Sequence, residues 1–235
     1  SAMDSLPPLQ SRTLYLVATP IGNLEDITLR ALRVLRECDT VAAEDTRRAG
    51  ILLRHFDIQQ RLVSCHKFNE ARRLDGLLTC LENDGTVALI SDAGMPGISD
   101  PGTRLVRSAI DRGLRVETVP GPCALVAALA ASGLATEEFR FTGFPPRKPG
   151  ARRRHLESLA EMPGTLVMYE SPHRVGRLLE EMAALWPECP VVLARELTKK
   201  FEEYLRGTAA GLFAQLGGRK MKGEFVVLVG EPRSN

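Results

Sequence analysis

The chain has 235 residues, 44% of them hydrophobic, which is enough for one large domain or two small ones. No apolar run approaches the roughly 18–20 residues that a membrane helix needs, and no basic segment followed by an apolar stretch opens the chain, so we expect a cytoplasmic protein that does not enter a membrane. The net charge of +2 does not by itself indicate a nucleic-acid partner.

The first half of the chain alternates short apolar runs with helical spacing. Residues 1–11 open on Ser1-Ala2-Met3, which resembles a cloning remnant, and we treat them as a tag or disordered segment. Runs typical of buried strands are residues 14–18, 40–43, 62–63, 86–90 and 114–119. Helical spacing separates them at residues 28–36, 46–55 and 69–81. Asp100 and Pro101 then favour the start of a helix that ends at Gly113, because aspartate caps helices and proline suits their first turn.

The second half has a different order of elements. Its predicted strands are residues 139–142, 165–169, 191–194, 203–206 and 225–229. Its predicted helices are residues 124–131, 152–160, 175–185 and 208–216. The last two strands flank only a short helix, which favours a mixed sheet. We therefore predict two α/β domains: residues 12–120 with a mainly parallel five-stranded sheet, and residues 121–235 with a mixed sheet, joined by a hinge near Pro120.

The cysteines and histidines are dispersed along the chain. None of the five cysteines forms a CxxC pair, and the odd count favours reduced thiols over a disulfide framework. The four histidines show neither HxH nor HExxH spacing. A structural zinc site needs clustered ligands, so we expect no bound metal.

Polar and glycine-rich residues follow the strands in both halves. In open α/β sheets, ligands bind beyond the carboxyl ends of the strands, so these segments are the candidate site. The longest is the loop of residues 91–102, which carries Gly94, Gly97 and Gly102. The loop does not fit GxGxxG, and GxxxxGK[ST] occurs nowhere in the chain, which disfavours a Rossmann dinucleotide fold and a P-loop NTPase.

Basic residues concentrate in a few short segments. The densest segment contains Arg147, Lys148, Arg152, Arg153 and Arg154, within a stretch rich in proline and glycine. Arg47 and Arg48 form a smaller pair. Such segments are either ordinary solvated surface or sites that neutralise phosphates, and their composition alone leaves both interpretations open.

Five blocks of the sequence, taken together and in order, resemble the tetrapyrrole-methylase superfamily. They are VATPIGNLED from Val17, AEDTR from Ala43, SDAGMPGISDPG from Ser91, PGPCA from Pro120 and YESPHR from Tyr169. The AEDTR and ESPHR blocks resemble the bacterial 16S ribosomal RNA cytidine 2′-O-methyltransferases within that superfamily. The resemblance extends from about Thr13 to Gly230, and its small departure is Met95-Pro96-Gly97 in a loop that keeps its glycine and proline frame.

The resemblance implies a homodimer that binds S-adenosylmethionine in a cleft between two α/β domains. The implied cofactor contacts, transferred position by position, are Pro20, Ala93, Gly94, Met95, Ile98, Cys123, Ala124, Tyr169, Glu170 and Leu197. Backbone groups of the loops would read the polar ends of the cofactor, and Met95 and Ile98 would cover its adenine. Cys123 is equally consistent with an ordinary small buried side chain.

The implied reaction is methyl transfer to a ribose 2′-hydroxyl of 16S ribosomal RNA in the small ribosomal subunit. A hydroxyl is a weak acid, so a general base would contribute roughly 10²- to 10⁴-fold. Glu44, Asp45 and Lys199 are the main candidates, although the first two also suit an ion pair at a helix start and the third suits plain surface charge. The other titratable candidates are Glu170, His66 and His173.

The predicted RNA contacts are the basic residues that follow strands or lie in the dense segment. They are Arg47, Arg147, Lys148, Arg152, Arg153, Arg154, His173 and Arg174. Two other functions remain open at this stage. One is a precorrin-type C-methyltransferase of the same fold, whose carboxylate-rich substrate would also suit basic residues. The other is a non-catalytic RNA-binding protein of ribosome assembly.

Overall fold

A computed structural model describes residues 6–98 and 102–234 of the chain. The chain divides into two units, Ser1–Cys123 and Ala124–Asn235, each with its own sheet. None of the helices within the described ranges is long and apolar enough to cross a membrane.

The N-terminal unit is built on a fully parallel five-stranded sheet. Its strands, in the order β3-β2-β4-β1-β5, are β1 (Thr13–Val17), β2 (Thr40–Ala43), β3 (Leu62–Ser64), β4 (Thr86–Ile90) and β5 (Arg115–Val119). All five residues of β4 are buried. Strands of parallel sheets that are covered on both faces are nearly continuously apolar, as β4 is. The predicted five-stranded parallel sheet is confirmed.

Helices cover both faces of this sheet. They are α1 (Leu29–Glu37), α2 (Thr46–His55), α3 (Glu70–Glu82) and α4 (Thr103–Asp111). Tyr15 and Val17 pack in one core with residues of α1 and α2, whereas Leu14 packs in a second core with residues of α3 and α4. Successive strand residues point to opposite faces, so the two pairs of helices lie on opposite sides of the sheet.

The C-terminal unit contains a mixed sheet in the order β6-β7-β10-β8-β9. Its strands are β6 (Phe139–Phe141), β7 (Thr165–Glu170), β8 (Val191–Arg195), β9 (Glu203–Gly207) and β10 (Phe225–Gly230). β6 runs parallel to β7, and β10 is antiparallel to both β7 and β8. The helices of the unit are α5 (Ala124–Ser132), α6 (Pro149–Ser158), α7 (Val175–Leu185) and α8 (Ala209–Leu216). The predicted mixed sheet is confirmed.

The start of one helix differs from the sequence-based prediction, and the predicted start of another lies outside the described residues. α6 begins at Pro149, not at Arg152, because proline fits the first helical turn where its missing N–H costs nothing. Arg152, Arg153 and Arg154 lie in this helix, as predicted, and Arg152 faces inward with 3% of its surface exposed. The cap predicted at Asp100 and Pro101 lies outside the described residues, and α4 follows from Thr103.

Candidate functional site

The loops after β1 and β4 meet where the connections of the N-terminal sheet reverse direction. β1 leads to α1 on one face and the adjacent β4 leads to α4 on the other, and open α/β sheets bind ligands beside such a reversal. Thr19 and Gly94 join the two loops by reciprocal backbone hydrogen bonds, at 3.1 and 2.9 Å between N and O. The Ser91 hydroxyl donates to the carbonyl oxygens of Ala93 and Gly94, at 3.0 and 3.1 Å. These bonds fix the backbone of both loops.

Gly94 is the point at which the segment after β5 joins these loops. Its φ is +80°, a conformation that residues with a side chain rarely adopt. A Cβ atom at this position would lie 3.1 Å from Cγ2 of Ile21 and 3.3 Å from the carbonyl oxygen of Pro122. Glycine is therefore needed here both for the backbone conformation and for the close approach of another segment.

The predicted cofactor residues of the N-terminal unit lie on the three segments that meet at this glycine. They are Pro20, Ala93, Gly94, Met95, Ile98 and Cys123. The Cα atom of Cys123 lies 3.9 Å from the point that a Gly94 Cβ would occupy. Ile98, on the same loop as Gly94, is an apolar residue that is 51% exposed. We call these three joined segments the cradle, and the contact of their residues with a cofactor stays a prediction.

Tyr169 is the last residue but one of β7 in the C-terminal unit, and its side chain contacts the start of α5. Its hydroxyl accepts a hydrogen bond from the backbone N–H of Leu125, at 3.0 Å. Its ring makes edge contacts with Phe141 and Phe144, at centroid distances of 4.9 and 5.8 Å. Tyr169 therefore holds the segment at Ala124, another predicted cofactor residue, against the C-terminal sheet.

Glu170 is fully buried at the end of the same strand. Its Oε1 accepts from the backbone N–H of Ser171, at 2.8 Å, and from Nε of Arg174, at 3.1 Å. These contacts hold the turn that presents the exposed His173. Arg174 is thus engaged by a carboxylate, whereas His173 is open to a ligand.

The loop after β8 holds Leu197 in a strained backbone. The residues on both sides, Glu196 and Thr198, have positive φ values of 54° and 71°, and such outliers concentrate at functional sites. Lys199 Nζ lies 3.2 Å from Oε2 of Glu196, and the Lys199 side chain is 45% exposed. An ammonium group donates hydrogen bonds and accepts none, so this arrangement suits a contact with a phosphate.

Asp45 and Glu44 follow β2 at the start of α2. The Asp45 carboxylate accepts hydrogen bonds from the backbone N–H groups of Arg47 and Arg48, at 2.9 and 3.4 Å. These bonds, and the neighbouring arginine charges, hold the pKa of Asp45 below its usual range. A carboxylate so engaged is a weak proton acceptor, and its geometry is that of a helix N-cap.

We expect Asp45→Asn to keep the methyl transfer that the resemblance implies within about tenfold of the unchanged protein, because asparagine also caps a helix. Asp45→Ala removes the cap and should lower the melting temperature. The lowered pKa means that the carboxylate stabilises the fold above the unfolded value of about 3.9, and that this stabilisation disappears as pH falls through the folded value. The loss in Asp45→Ala should therefore be seen at neutral pH and vanish in strong acid. A drop of roughly 10²-fold or more in Asp45→Asn would instead identify a general base.

The predicted RNA contacts divide by exposure. Those at the surface are Arg47, Arg147, Lys148, Arg153, Arg154 and His173. Arg152 differs, because its Nε and Nη2 atoms donate to the two carboxylate oxygens of Glu181, at 2.8 and 2.9 Å. Glu181 raises the pKa of Arg152 further. Contrary to the sequence-based expectation, Arg152 anchors α6 to α7 instead of facing RNA.

Within the described ranges, the five cysteines are all free thiols, and no three His, Cys, Asp or Glu side chains are placed to hold a metal ion. Burial raises the pKa of Cys38 to about 12 and that of Cys65 to about 11. Burial also raises the pKa values of Cys80 and Cys189. Cys123, in contrast, is partly exposed in the cradle around Gly94.

Sequence reasoning missed a cavity of about 290 Å³ on the α1/α2 side of the N-terminal sheet. We call it the α2 cavity, and the residues that define it include Pro20, Arg48, Ile51, Leu52, His55 and Asp92. Four of these lie at helical positions i, i+3, i+4 and i+7 and share one face of α2. The signal was present in the sequence, because this face combines aliphatic side chains with Arg48 and His55.

A family model described as Tetrapyrrole (Corrin/Porphyrin) Methylases matches residues 13–212. A relative from Halalkalibacterium halodurans, named Ribosomal RNA small subunit methyltransferase I, is 51% identical over 217 residues, which are 92% of this chain and 75% of that protein. A relative of the same name from Haemophilus influenzae is 47% identical over 226 residues, or 94% of this chain and 80% of that protein.

Solved structures show the same fold at lower identity. A uroporphyrin-III C-methyltransferase from Thermus thermophilus, complexed with S-adenosyl homocysteine, aligns with a TM-score of 0.66 at 23% identity, over 94% of this chain and 98% of that chain. A cobalt precorrin-4 methyltransferase aligns with a TM-score of 0.65 at 19% identity, over 94% and 96%. On the family match and the close relatives, the chain belongs to the tetrapyrrole methylase family, in the branch of the ribosomal RNA small subunit methyltransferase I proteins.

Proposed function

We propose that the protein transfers a methyl group from S-adenosylmethionine to the 2′-hydroxyl of a cytidine ribose in 16S ribosomal RNA. The observation that carries this proposal is the 51% identity, over 92% of the chain, to a protein named Ribosomal RNA small subunit methyltransferase I. The glycine-framed cradle at the carboxyl edge of the N-terminal sheet supports it independently, because that edge is where α/β sheets bind ligands.

The residues of the cradle fit S-adenosylmethionine. Gly94 lets the loops of the cradle pack closely, because a Cβ there would press on Ile21 and Pro122. Backbone N–H and C=O groups there suit the polar ends of the cofactor, and the exposed Ile98 suits an adenine ring. Pro20, Ala93, Met95 and Cys123 would complete the contacts in this unit, and Ala124, Tyr169, Glu170 and Leu197 those in the other. When bound, the cofactor supplies a methyl group on a positively charged sulfur that leaves neutral.

The protein's own residues would align the acceptor hydroxyl and take its proton. Alignment alone supplies several kcal/mol in well-oriented reactions, up to roughly 7–11 kcal/mol. Glu44, Asp45 and Lys199 are the candidates for the proton acceptor or for binding beside it. Asp45 caps a helix and Lys199 forms an ion pair, while Glu44 is half-buried directly after β2, and all three stay candidates.

The RNA would be held mainly through its phosphates. The exposed residues Arg147, Lys148, Arg153 and Arg154 form a basic surface around the start of α6, and Arg47 and His173 add contacts at two strand ends. Phosphate contacts position a substrate without reading its sequence, so other contacts would have to select the single target nucleotide.

We also propose that the protein works as a homodimer in the cytoplasm, where small ribosomal subunits are assembled. Both statements rest on the resemblance to the family. Sedimentation of the purified chain at several concentrations would test the dimer, and a monomer at all of them would contradict it.

A second candidate function is C-methylation of a tetrapyrrole, because solved structures of the same fold carry the names of uroporphyrin-III and precorrin methyltransferases. Their identity to this chain is 23% and 19%, less than half that of the ribosomal relatives. A non-catalytic assembly factor is the third candidate, but such a protein would not need the glycine-framed cradle, because it binds no cofactor.

The test uses tritium-labelled S-adenosylmethionine and small subunits from a strain that lacks the gene. The expected result is label on one cytidine ribose, mapped by RNA digestion. Absence of label while the cofactor still binds would contradict the ribosomal substrate and direct attention to tetrapyrrole acceptors. Failure to bind the cofactor would favour the assembly factor.

Cys123 provides a direct probe of the cofactor site. It is partly exposed, whereas Cys38, Cys65 and Cys189 are buried and burial raises the pKa of the partly exposed Cys80, so an alkylating reagent should modify Cys123 first. Saturating S-adenosyl homocysteine should slow that modification by at least about tenfold, as measured by mass spectrometry. The Cys123→Ser variant is the control for the assignment of the modified residue. An unchanged rate would remove Cys123 from the proposed cofactor contacts.

A further inference from the structure

We propose that the α2 cavity receives the target nucleoside and that Asp92 and Arg48 read its base as cytosine. The inference rests on the proposed function, since it names the residues that select the acceptor of that reaction. None of these residues was among the sites predicted from the sequence.

The α2 cavity adjoins the predicted cofactor cradle. Pro20 lines the cavity and is also a predicted cofactor contact. Asp92, on the loop after β4, directly precedes Ala93 and the fixed Gly94. A nucleoside in the cavity would therefore lie beside the cofactor loops, as a transfer between two bound molecules requires.

The walls of the cavity suit a flat, mostly apolar ring. Leu24 and Ile90 line it together with Ile51 and Leu52 of α2. Ile51 lines the cavity and is 61% exposed, so its aliphatic side chain is available to contact a ligand there. Single-stranded RNA is recognised by bases that are splayed out, stacked and hydrogen-bonded at their edges.

The charged groups of the cavity match the hydrogen-bonding edge of cytosine. The N4 amino group of cytosine donates, and carboxylates accept from it. Cytosine also presents ring N3 and O2 as acceptors, and an arginine has only donors to offer. Asp92 and Arg48 line the cavity from two different elements, a loop and a helix. Uracil would instead turn its O4 oxygen toward the Asp92 carboxylate, which is repulsive.

The volume restricts the ligand to about one nucleoside. The cavity of about 290 Å³ is just below the roughly 300–1,000 Å³ found for small-molecule sites. A single base and its ribose need less space than a tetrapyrrole macrocycle with its carboxylate arms. The size thus agrees with one extruded nucleotide of an RNA strand.

The experiment measures selectivity for the base, not activity alone. Small subunits from the strain lacking the gene are prepared with cytidine or uridine at the labelled position, and single-turnover methyl transfer is measured at saturating S-adenosylmethionine. The unchanged protein should prefer cytidine by roughly 10- to 100-fold. Asp92→Asn should reduce this ratio by at least about tenfold, because an amide can also donate to uracil O4. Its affinity for S-adenosyl homocysteine should not change.

Two further variants make the outcome decisive. Asp75→Asn alters a carboxylate on α3, whose side chain is 83% exposed on the other side of the sheet, and should leave the ratio unchanged. Ile51→Trp fills the cavity from an exposed position and should weaken transfer to subunits without weakening cofactor binding. The inference is overturned if Asp92→Asn slows both acceptors equally, or if Ile51→Trp has no effect. Loss of label on both acceptors in the unchanged protein would instead remove the proposed function.

Discussion

Replacing Arg152 by alanine should lower the free energy of unfolding by about 3 kcal/mol, because it leaves Glu181 without its partner in a largely buried pair. The guanidinium makes two charge-assisted hydrogen bonds to that carboxylate and a longer one to the carbonyl oxygen of Arg147. No other residue in the basic segment has comparable contacts. Chemical denaturation of the full chain measures the loss.

Arg153 is the matched control one residue away. It pairs with Glu157 at 3.0 Å, but both side chains are exposed, at 67% and 47%, and such pairs contribute less than about 1 kcal/mol. Arg153→Ala should therefore leave stability nearly unchanged and weaken RNA binding, with a salt dependence reduced by about one phosphate contact. The opposite pattern, a stable Arg152→Ala with reduced RNA affinity, would return Arg152 to the RNA surface.

Replacing Gly94 by alanine should lower kcat/KM for S-adenosylmethionine by roughly 10²-fold, since small displacements of a positioning loop are that costly. The new Cβ would press on Ile21 and on the carbonyl oxygen of Pro122, so the loops after β1, β4 and β5 would all have to shift. The positive φ adds a conformational cost of roughly 1–2 kcal/mol. Calorimetric titration with S-adenosyl homocysteine and steady-state kinetics measure the effect.

Gly97→Ala separates the two causes. Gly97 has nearly the same φ, +83°, but no atom of residues 6–98 or 102–234 lies within 4 Å of its hypothetical Cβ. This variant should show the conformational cost in its melting temperature and keep most of its affinity for the cofactor. Equal losses of affinity in both variants would mean that backbone strain, and not the close approach at Gly94, controls the cradle.

The order of secondary structure could be predicted from the sequence because each element carries its own local pattern. The bounds of β4 and α7 agree with the prediction at both ends, since continuous apolar residues and helical spacing mark them clearly. The mixed sheet was predicted from the short helix between the last two strands, but β9 and β10 do not pair, and the antiparallel pairs are β10–β7, β10–β8 and β8–β9. The ends of helices were less predictable. Proline occurs both where a helix is interrupted and in the first turn of a helix, so the sequence did not show that α6 begins at Pro149.

The sequence by itself determined the fold class, the family blocks and the edge of the sheet at which the cradle lies, since these follow from local periodicity and from where strands end. Only the tertiary structure decided which charges are available to ligands. Arg152 and Arg153 are adjacent and chemically identical, but the helix turns one toward Glu181 and the other toward solvent. Likewise, the α2 cavity unites Arg48 with Asp92, which are far apart in the chain. Charge partners and cavities are long-range relations between side chains, and no local pattern encodes them.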